Sequence, residues 1–486
     1  MSASLAEYDF AEENAGSLAE KLNGGKVMPF GIKDKIGYAL GDFGTTMMMG
    51  VLASFQSIFY TNVLGIDPAL VGVILTFTTI VGAFTDVTAG RLVDKSKLGK
   101  KGRFHPWVHV MKWPLAITIL MCMCPFVAGI PMGGRVAYLF VAAFCYAAML
   151  SAYNMPYGSM AATLSADPDD RTTLSVFRNI GSAFGAGGVG FVLPLIVYTT
   201  DAQGNKVLQG NTLFICTIVC CVIAMVLMEL MYRLTTERVI VDKQDNVPVK
   251  DLLHSLFHNR ALLTFLLAEV VIVCATSIIS FMTSYMYTSV FNNTQALSIA
   301  LLFNYATTLL LAPVARKATK RFGKKEAVST MLLCAAAIYL VIYFLHLSNP
   351  WVYLLLTFLA TLCFSAFNVM VWAFMGDVVD YHQYISGQRE DGTVFSVNMF
   401  GRKVAQSLMG IVTGTLLAAV GYKATTSGNT VQSQQVLDGL YMSATLLPGI
   451  LLALGALILI FLYPLGKKKT DEISATLKEV NKVTVS

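Results

Sequence analysis

Runs of about twenty apolar residues recur along the whole chain, each long enough to cross a bilayer as a helix. Twelve can be drawn, near 36–62, 67–91, 107–128, 136–163, 173–198, 211–232, 261–289, 295–314, 327–346, 351–378, 394–420 and 437–464. Of the 486 residues, 55% are apolar and only 13% charged, where a soluble domain carries about a quarter charged residues. With a mean hydropathy of +0.63, this excludes a soluble enzyme, a disordered chain and a coiled coil. The sequence predicts an all-α polytopic membrane protein. Gly, Pro, Ser and Thr inside the runs fit that reading, because membrane bundles use them for close helix packing.

The loops test count and orientation. The 91–106 loop carries Arg91, Lys95, Lys97, Lys100, Lys101 and Arg103, and the 315–326 loop carries Arg316, Lys317, Lys320, Arg321, Lys324 and Lys325. The central 233–260 stretch has Arg233, Arg238, Lys243, Lys250 and Arg260, and the C-terminal tail has Lys467, Lys468 and Lys469. The alternate loops hold only Arg135, Lys206 and Lys423. Basic residues mark the cytosolic side, so both termini are expected there, with the protein in the cell membrane. The net charge of +6 then follows from loop placement and calls for no nucleic-acid partner.

Leu98-Gly99-Lys100-Lys101 after span 2 resembles Phe322-Gly323-Lys324-Lys325 after span 8, so the chain reads as two six-helix halves. The expected layout is a cytosolic tail over 1–35, a bundle over 36–232, a linker over 233–260, a second bundle over 261–464 and a tail over 465–486. Twelve helices in two halves with basic 2–3 and 8–9 loops is the pattern of the major facilitator fold. The first 35 residues lack the basic-then-apolar order of a signal peptide. The glycine-rich run 181–190 reads as a helix-packing surface; no strand precedes it to make a nucleotide loop.

An ionisable group inside a span costs several kcal/mol unless paired or solvated, which makes each one a functional candidate. The set is Asp42 in span 1, Asp86 in span 2, Arg178 in span 5, Glu269 in span 7, Asp377 and Asp380 ending span 10, and Arg402 and Lys403 in span 11. Glu229 lies near the surface end of span 6. Asp86 has no basic residue within two turns of its own helix and must meet a cation, a proton or a distant base. It reads as a cation or proton site, with an ion pair to Arg178 or Lys403 as the alternative. Asp42 reads as structurally paired, and Glu269 stays open between a helix–helix hydrogen bond and a gate. Arg402 and Lys403 project about 100° apart, so one faces a cavity and the other a different helix, with Asp377 or Asp380 as its expected partner. Asp377, Asp380, Tyr381 and Arg389, with Glu390, Asp391 and His382, read as a cytosolic gate at the end of span 10 and in the loop after it, against a plain solvated loop.

The aromatics Phe43, Phe55, Phe59, Tyr60 and Tyr146 read as core or lipid-facing. Tyr153-Asn154-Met155-Pro156-Tyr157-Gly158-Ser159 combines rings, an amide, a proline break and a hydroxyl in one span, the mixture a sugar site needs. All nine cysteines lie inside apolar blocks without metal-ligand spacing and read as small core residues. The six histidines fall at span ends or in loops, with no Ser/His/Asp set. No enzyme activity, cofactor or metal is expected.

Several stretches together resemble one family. They are Lys35 to Gly44 opening span 1, Phe59 to Gly65 closing it, Asp86 with Gly90, Gly102-Arg103-Phe104-His105-Pro106-Trp107, Asn154 to Ser159, Gly376 to Tyr381, and Arg402-Lys403. Over residues 33–465 the chain resembles the glycoside–pentoside–hexuronide:cation symporters, the sugar transporters that include melibiose permease. The Asn-x-Pro-Tyr-Gly-Ser form and the Arg-Lys pair look more like the family's glucuronide carriers. The resemblance implies alternating access and sugar uptake driven by Na⁺, Li⁺ or H⁺. The family's span-2 motif has two acids one turn apart that serve the cation. Here the second matches Asp86 but the first falls on Gly82, so H⁺ is favoured. Thr85 and Ser151 match neighbours that assist the cation, which keeps Na⁺ open, and Lys403 matches a lysine near both cation and sugar.

The two sugar-binding acids of the melibiose branch fall on Thr46 and Asn154. Losing them while keeping Arg178 and Lys403 makes the cavity positive and suits a carboxylated sugar, with a glucuronide leading. The substrate set is Thr46, Tyr153, Asn154, Tyr157 and Arg178 in the first half, and Asn368, Arg402 and Lys403 in the second. The expected partners are a small sugar and the bilayer, with the chain working as a monomer. Alternatives are symport of a neutral glycoside or pentoside, and uncoupled uniport because of Gly82. From a different class comes a membrane sensor or lipid-handling protein on the same fold, against which the charged cavity candidates argue.

Overall fold

The computed structural model describes residues 30–94, 102–165, 168–238, 259–304, 307, 322–386, 391–427, 431–473 and 476. Its helices are α1 (Ile32–Asn62), α2 (Pro68–Asp94), α3 (Phe104–Cys122), α4 (Met132–Leu164), α5 (Pro168–Val197) and α6 (Gly210–Leu234). They continue with α7 (Arg260–Tyr285), α8 (Thr294–Asn304), α9 (Lys324–Leu345), α10 (Pro350–Ser386), α11 (Asp391–Ala419) and α12 (Gln434–Leu457). Nine of those described, α2 to α7 with α9, α10 and α12, are long and apolar enough to cross a membrane, and α8 is a shorter apolar helix. Outside that group, α1 carries Asp42, Thr45, Thr46 and Gln56, and α11 carries Arg402 and Lys403.

The helices form two compact units, Met1–Gln244 with Ala424–Asn429, and Asp245–Lys423 with Thr430–Ser486. In the first, α1 packs on α5 and α6, α2 on α4, and α3 on α4 and α6. The glycine-rich run sets the closest of these approaches. A Cβ at Gly181 would strike the Ala39 carbonyl oxygen, and one at Gly185 the Phe43 carbonyl and Thr46 Oγ1, so α5 rests directly on the α1 backbone. In the second unit α7 packs on α11 and α12, and α9 on α10 and α12. Its core gathers around Phe265, whose ring lies 5.4 Å from that of Phe374 and 6.0 Å from that of Phe367.

Four expectations change. The chain is not helical throughout: β1 (Tyr198–Thr200) and β2 (Lys206–Leu208) pair antiparallel between α5 and α6. Asp201 closes their turn by accepting from the Gln203 and Asn205 amides at 3.0 and 2.7 Å, and Gly204 takes a positive φ of 84°. Pro156 does not break α4. The Ala152 carbonyl that it leaves without a donor instead accepts the Trp107 indole N–H at 2.7 Å, so the helix runs on. Helix α10 continues past the expected end at 378, which puts Asp380, Tyr381 and His382 on its last turns and not in a loop. Cys334 is exposed on α9, unlike buried Cys122, Cys220 and Cys221. The Leu98–Lys101 repeat motif and the 239–258 part of the linker lie outside the described residues.

Charged residues fasten the helix ends of the first unit. Asp34 accepts both Arg238 guanidinium nitrogens, at 2.9 and 3.0 Å. Buried Glu237 caps α3, accepting from the Arg103, Phe104 and His105 amides at 3.0, 2.8 and 2.6 Å. At the start of α4, Arg135 donates to the Leu64, Ala128 and Ile130 carbonyls.

Candidate functional site

In the first unit the close α1–α5 approach sets Asp42 opposite Arg178, and Arg178 Nε donates to Asp42 Oδ1 at 3.1 Å. The guanidinium also lies 5.5 Å from the Tyr157 ring centre, a cation–π contact. Tyr157 is sandwiched in turn: Tyr38 stacks on it at 4.8 Å and 16°, and Tyr153 at 5.8 Å and 18°. The two phenols lock α1 to α4, since Tyr157 Oη donates to the Tyr38 carbonyl at 2.6 Å and Tyr38 Oη to the Tyr157 carbonyl at 3.3 Å. All three rings are fully buried. In this arrangement Tyr157, braced by the other two rings, holds Arg178 in place. Thr46 Oγ1 donates to the Asp42 and Ser182 carbonyls at 2.6 and 3.3 Å, and Asn154, next to Tyr153 on α4, is half-buried.

Asp86 lies elsewhere in this unit, half-buried on α2. Arg178, the possible ion partner considered for it, is engaged by Asp42. Next to Asp86, Thr85 Oγ1 meets Ser151 Oγ at 2.9 Å across the α2–α4 contact, and Ser151 Oγ donates to the Gly82 carbonyl at 3.3 Å. The structure thus brings Thr85, Ser151 and Gly82 together. Around the hydrogen that replaces the expected first acid there is room: a Cβ at Gly82 meets nothing within 4 Å.

In the second unit Arg402 meets Glu269 of α7 at 3.5 Å. Asp377 is taken by Lys324, whose ammonium donates to Asp377 Oδ1 at 2.6 Å and to the Ala373 carbonyl at 3.1 Å. Arg402 thus pairs with Glu269, and Asp377 with Lys324, in place of a pairing between Arg402 and Asp377. Lys403 is half-buried beside Arg402, and Asn368 is exposed on α10. Of the residues read as a gate, Asp377 and Asp380 line a cavity of about 220 Å³ with Lys324, Thr470 and Asp471; Tyr381 is half-buried, and Arg389 lies outside the described residues.

Two charged groupings escape the sequence reading. Lys112, buried in α3, binds Glu229 of α6 at 2.6 Å, and His109 and Arg233 approach the same carboxylate at 3.2 and 2.9 Å. A lysine inside a span is itself a signal. The Glu237 cap on α3 carries none, because it follows the helix and joins residues far apart in sequence.

The family described as MFS/sugar transport protein matches residues 37–467. The chain is 30% identical to the uncharacterized symporter YjmB of Bacillus subtilis (strain 168), covering 92% of this chain and 95% of that one. It is 27% identical to the glucuronide carrier protein homolog of Escherichia coli (strain K12), covering 92% and 96%. It is also 27% identical to the isoprimeverose transporter of Lactiplantibacillus pentosus, covering 88% of each. Among solved structures, the nucleoside transporter NupG superposes with a TM-score of 0.61 at 15% identity, over 88% of this chain and 99% of that one. A D-xylose-proton symporter does so at 0.62 and 12%, over 90% and 98%. At those identities they speak for the fold alone.

Proposed function

The chain belongs to the MFS/sugar transport protein family, and on that premise we propose that it is a secondary active transporter importing a hexuronide, a glucuronide first, by symport with H⁺ and alternating access. Its twelve helices span the cell membrane in two six-helix halves, 36–232 and 261–464, joined by the 233–260 linker, with both termini cytosolic and the monomer as the working form. In the first unit Arg178 attracts the anionic sugar, and Thr46, Tyr153, Asn154 and Tyr157 complete the substrate set, the tyrosines by holding Arg178 in place. In the second, Arg402, Lys403 and Asn368 contribute. Asp86 carries the proton with Thr85, Ser151 and Lys403 in support, and Asp377, Asp380, Tyr381 and Arg389 form the cytosolic gate.

The observation that carries the substrate class is the state of Arg178. Its side chain is 43% exposed while that of its partner Asp42 is 8% exposed, so the guanidinium keeps an open side for a second carboxylate. The positions that the resemblance assigns to sugar-binding acids hold Thr46 and Asn154, which removes competing negative charge. Proton coupling is supported by the single carboxylate, Asp86, which follows Thr85 of the α2–α4 contact in sequence. Likeness to an isoprimeverose transporter favours the second reading, a neutral glycoside.

Uptake of a labelled aryl glucuronide into proteoliposomes, beside a neutral glycoside, separates these. Accumulation of glucuronide that follows an imposed proton gradient and ignores Na⁺ is the expected result. Uptake of the neutral sugar alone overturns the role of Arg178, and equilibration without accumulation means uniport.

A further inference from the structure

We propose that Glu269 binds a proton, and that its carboxylate competes with the acid group of an anionic substrate for Arg402, so that proton and substrate load the second unit together. The inference rests on the reading of the protein as a proton symporter for a carboxylated sugar.

Glu269 is 1% exposed, yet its ionic contact with Arg402 is loose. Arg402 Nη1 stands 3.5 Å from Glu269 Oε1, where a good charge-assisted bond is about 2.8 Å. The other oxygen, Oε2, is buried and makes no hydrogen bond. Asn398, one helical turn before Arg402 on α11, lies against the same carboxylate and is also 1% exposed, and neither its amide nitrogen nor its amide oxygen makes a well-formed hydrogen bond there. Three buried polar atoms so poorly satisfied in one spot are costly, and one change supplies all three. A protonated Glu269 gains an O–H donor. It can donate to Asn398 Oδ1 while Asn398 Nδ2 donates back to its carbonyl oxygen, a neutral acid–amide pair suited to an apolar surrounding.

The remaining surroundings are apolar. On α7 itself Phe265, Ala268 and Ile272 are buried, and Phe265 lies on Phe367 and Phe374 of α10. From α12, Gly455 approaches Ile272 and the Ala268 carbonyl; from α11, Gly401 packs on Leu266. Among the described residues Arg402 is the charged group that faces Glu269. Its side chain is 31% exposed, so it keeps an open side when Glu269 releases it. When Glu269 takes a proton from water, Arg402 loses its counter-ion and accepts a substrate carboxylate in its place. By linkage, substrate bound at Arg402 strengthens proton binding at Glu269 by the same factor.

The test uses the full-length carrier in an Asp86→Asn background, which removes the other proposed proton site. Binding of 4-nitrophenyl β-glucuronide is titrated across pH. Affinity is expected to rise on acidification by up to about tenfold per pH unit, the limit for one linked proton. Adding Glu269→Gln, a permanently neutral analogue, is expected to make the profile flat. A profile that keeps its slope after Glu269→Gln overturns the proposal. Asn398→Ala removes the amide partner and is expected to move the profile to lower pH; an unmoved profile counts equally against it. Infrared difference spectra on acidification read the carboxylic-acid C=O stretch without any sugar. A band that vanishes with Glu269→Gln supports the proton site even if the glucuronide fails to bind, which then overturns only the substrate reading. A band that persists unchanged in Glu269→Gln overturns the inference.

Discussion

Gly82 and Asp86 stand one turn apart on α2, and the space around Gly82 makes the coupling argument testable by a single side chain. A Cβ there meets nothing within 4 Å, so aspartate fits without displacing a neighbour. Its carboxylate would join Asp86, the Thr85 and Ser151 hydroxyls and the Gly82 carbonyl that Ser151 already bonds. Gly82→Asp is therefore expected to make uptake respond to a Na⁺ gradient, where the native protein is expected to show no response; indifference to Na⁺ in the variant sinks the single-carboxylate account. Asp86→Asn is expected to abolish accumulation while sugar exchange continues, read as counterflow. Arg178→Lys should weaken glucuronide binding about tenfold, because an ammonium cannot hold Asp42, lie over Tyr157 and still present a planar fork to substrate. The candidates Asp42, Asp86, Arg178, Glu269 and Arg402 were legible because charge in an apolar run is conspicuous. Their pairing was not. Asp42 and Arg178 meet across a long stretch of sequence, and which helix faces which depends on packing that composition does not encode.

At the scale of helices, the sequence marked packing surfaces and left their targets open. The glycine-rich run is legible as a place where another helix comes close, but not that α1 is the neighbour. Gly185→Ala puts a methyl group against the Phe43 carbonyl and Thr46 Oγ1. It is expected to cost about 1–3 kcal/mol of stability and to weaken glucuronide binding by pushing Asp42 away from Arg178. Thermal unfolding in detergent together with binding reads both effects. Gly188→Ala on the same helix, where a Cβ has open space, should be nearly silent in each. Trp107 shows the opposite limit. Its motif carried the family resemblance, whereas its bond to the Ala152 carbonyl answers the proline in another helix, and only the assembled unit reveals that. Glu237 is similar: cutting its carboxylate to Ala strips acceptors from three α3 amides and should cost about 2 kcal/mol or more.

Across the whole molecule, the hydropathy signal is weakest where the polar work is concentrated. Helices α1 and α11 fall outside the apolar group, and they are the ones that carry Asp42 and Arg402. The basic loops supply the orientation that hydropathy lacks. The α5–α6 connection is a hairpin with one lysine, Lys206, whose ammonium is tied to Thr200 at 2.7 Å. The 233–260 stretch at the α6–α7 connection carries Arg233 and Arg238 and, with the 91–106 and 315–326 loops, holds 17 of the 35 lysines and arginines. If lysine and arginine report the cytosolic side, the hairpin faces outward and Thr236 inward. In a protein whose nine native cysteines are replaced, Gln203→Cys at the hairpin turn should react with a membrane-impermeant maleimide on intact cells. Thr236→Cys should react only after permeabilisation. The hairpin position tolerates the change because Gln203 contributes only its backbone amide to Asp201. Thr236 is bound by its backbone to Asp34 and Arg238, so its side chain is also free to vary. The reverse labelling pattern inverts the orientation, and labelling of both from outside breaks the count of spans between them.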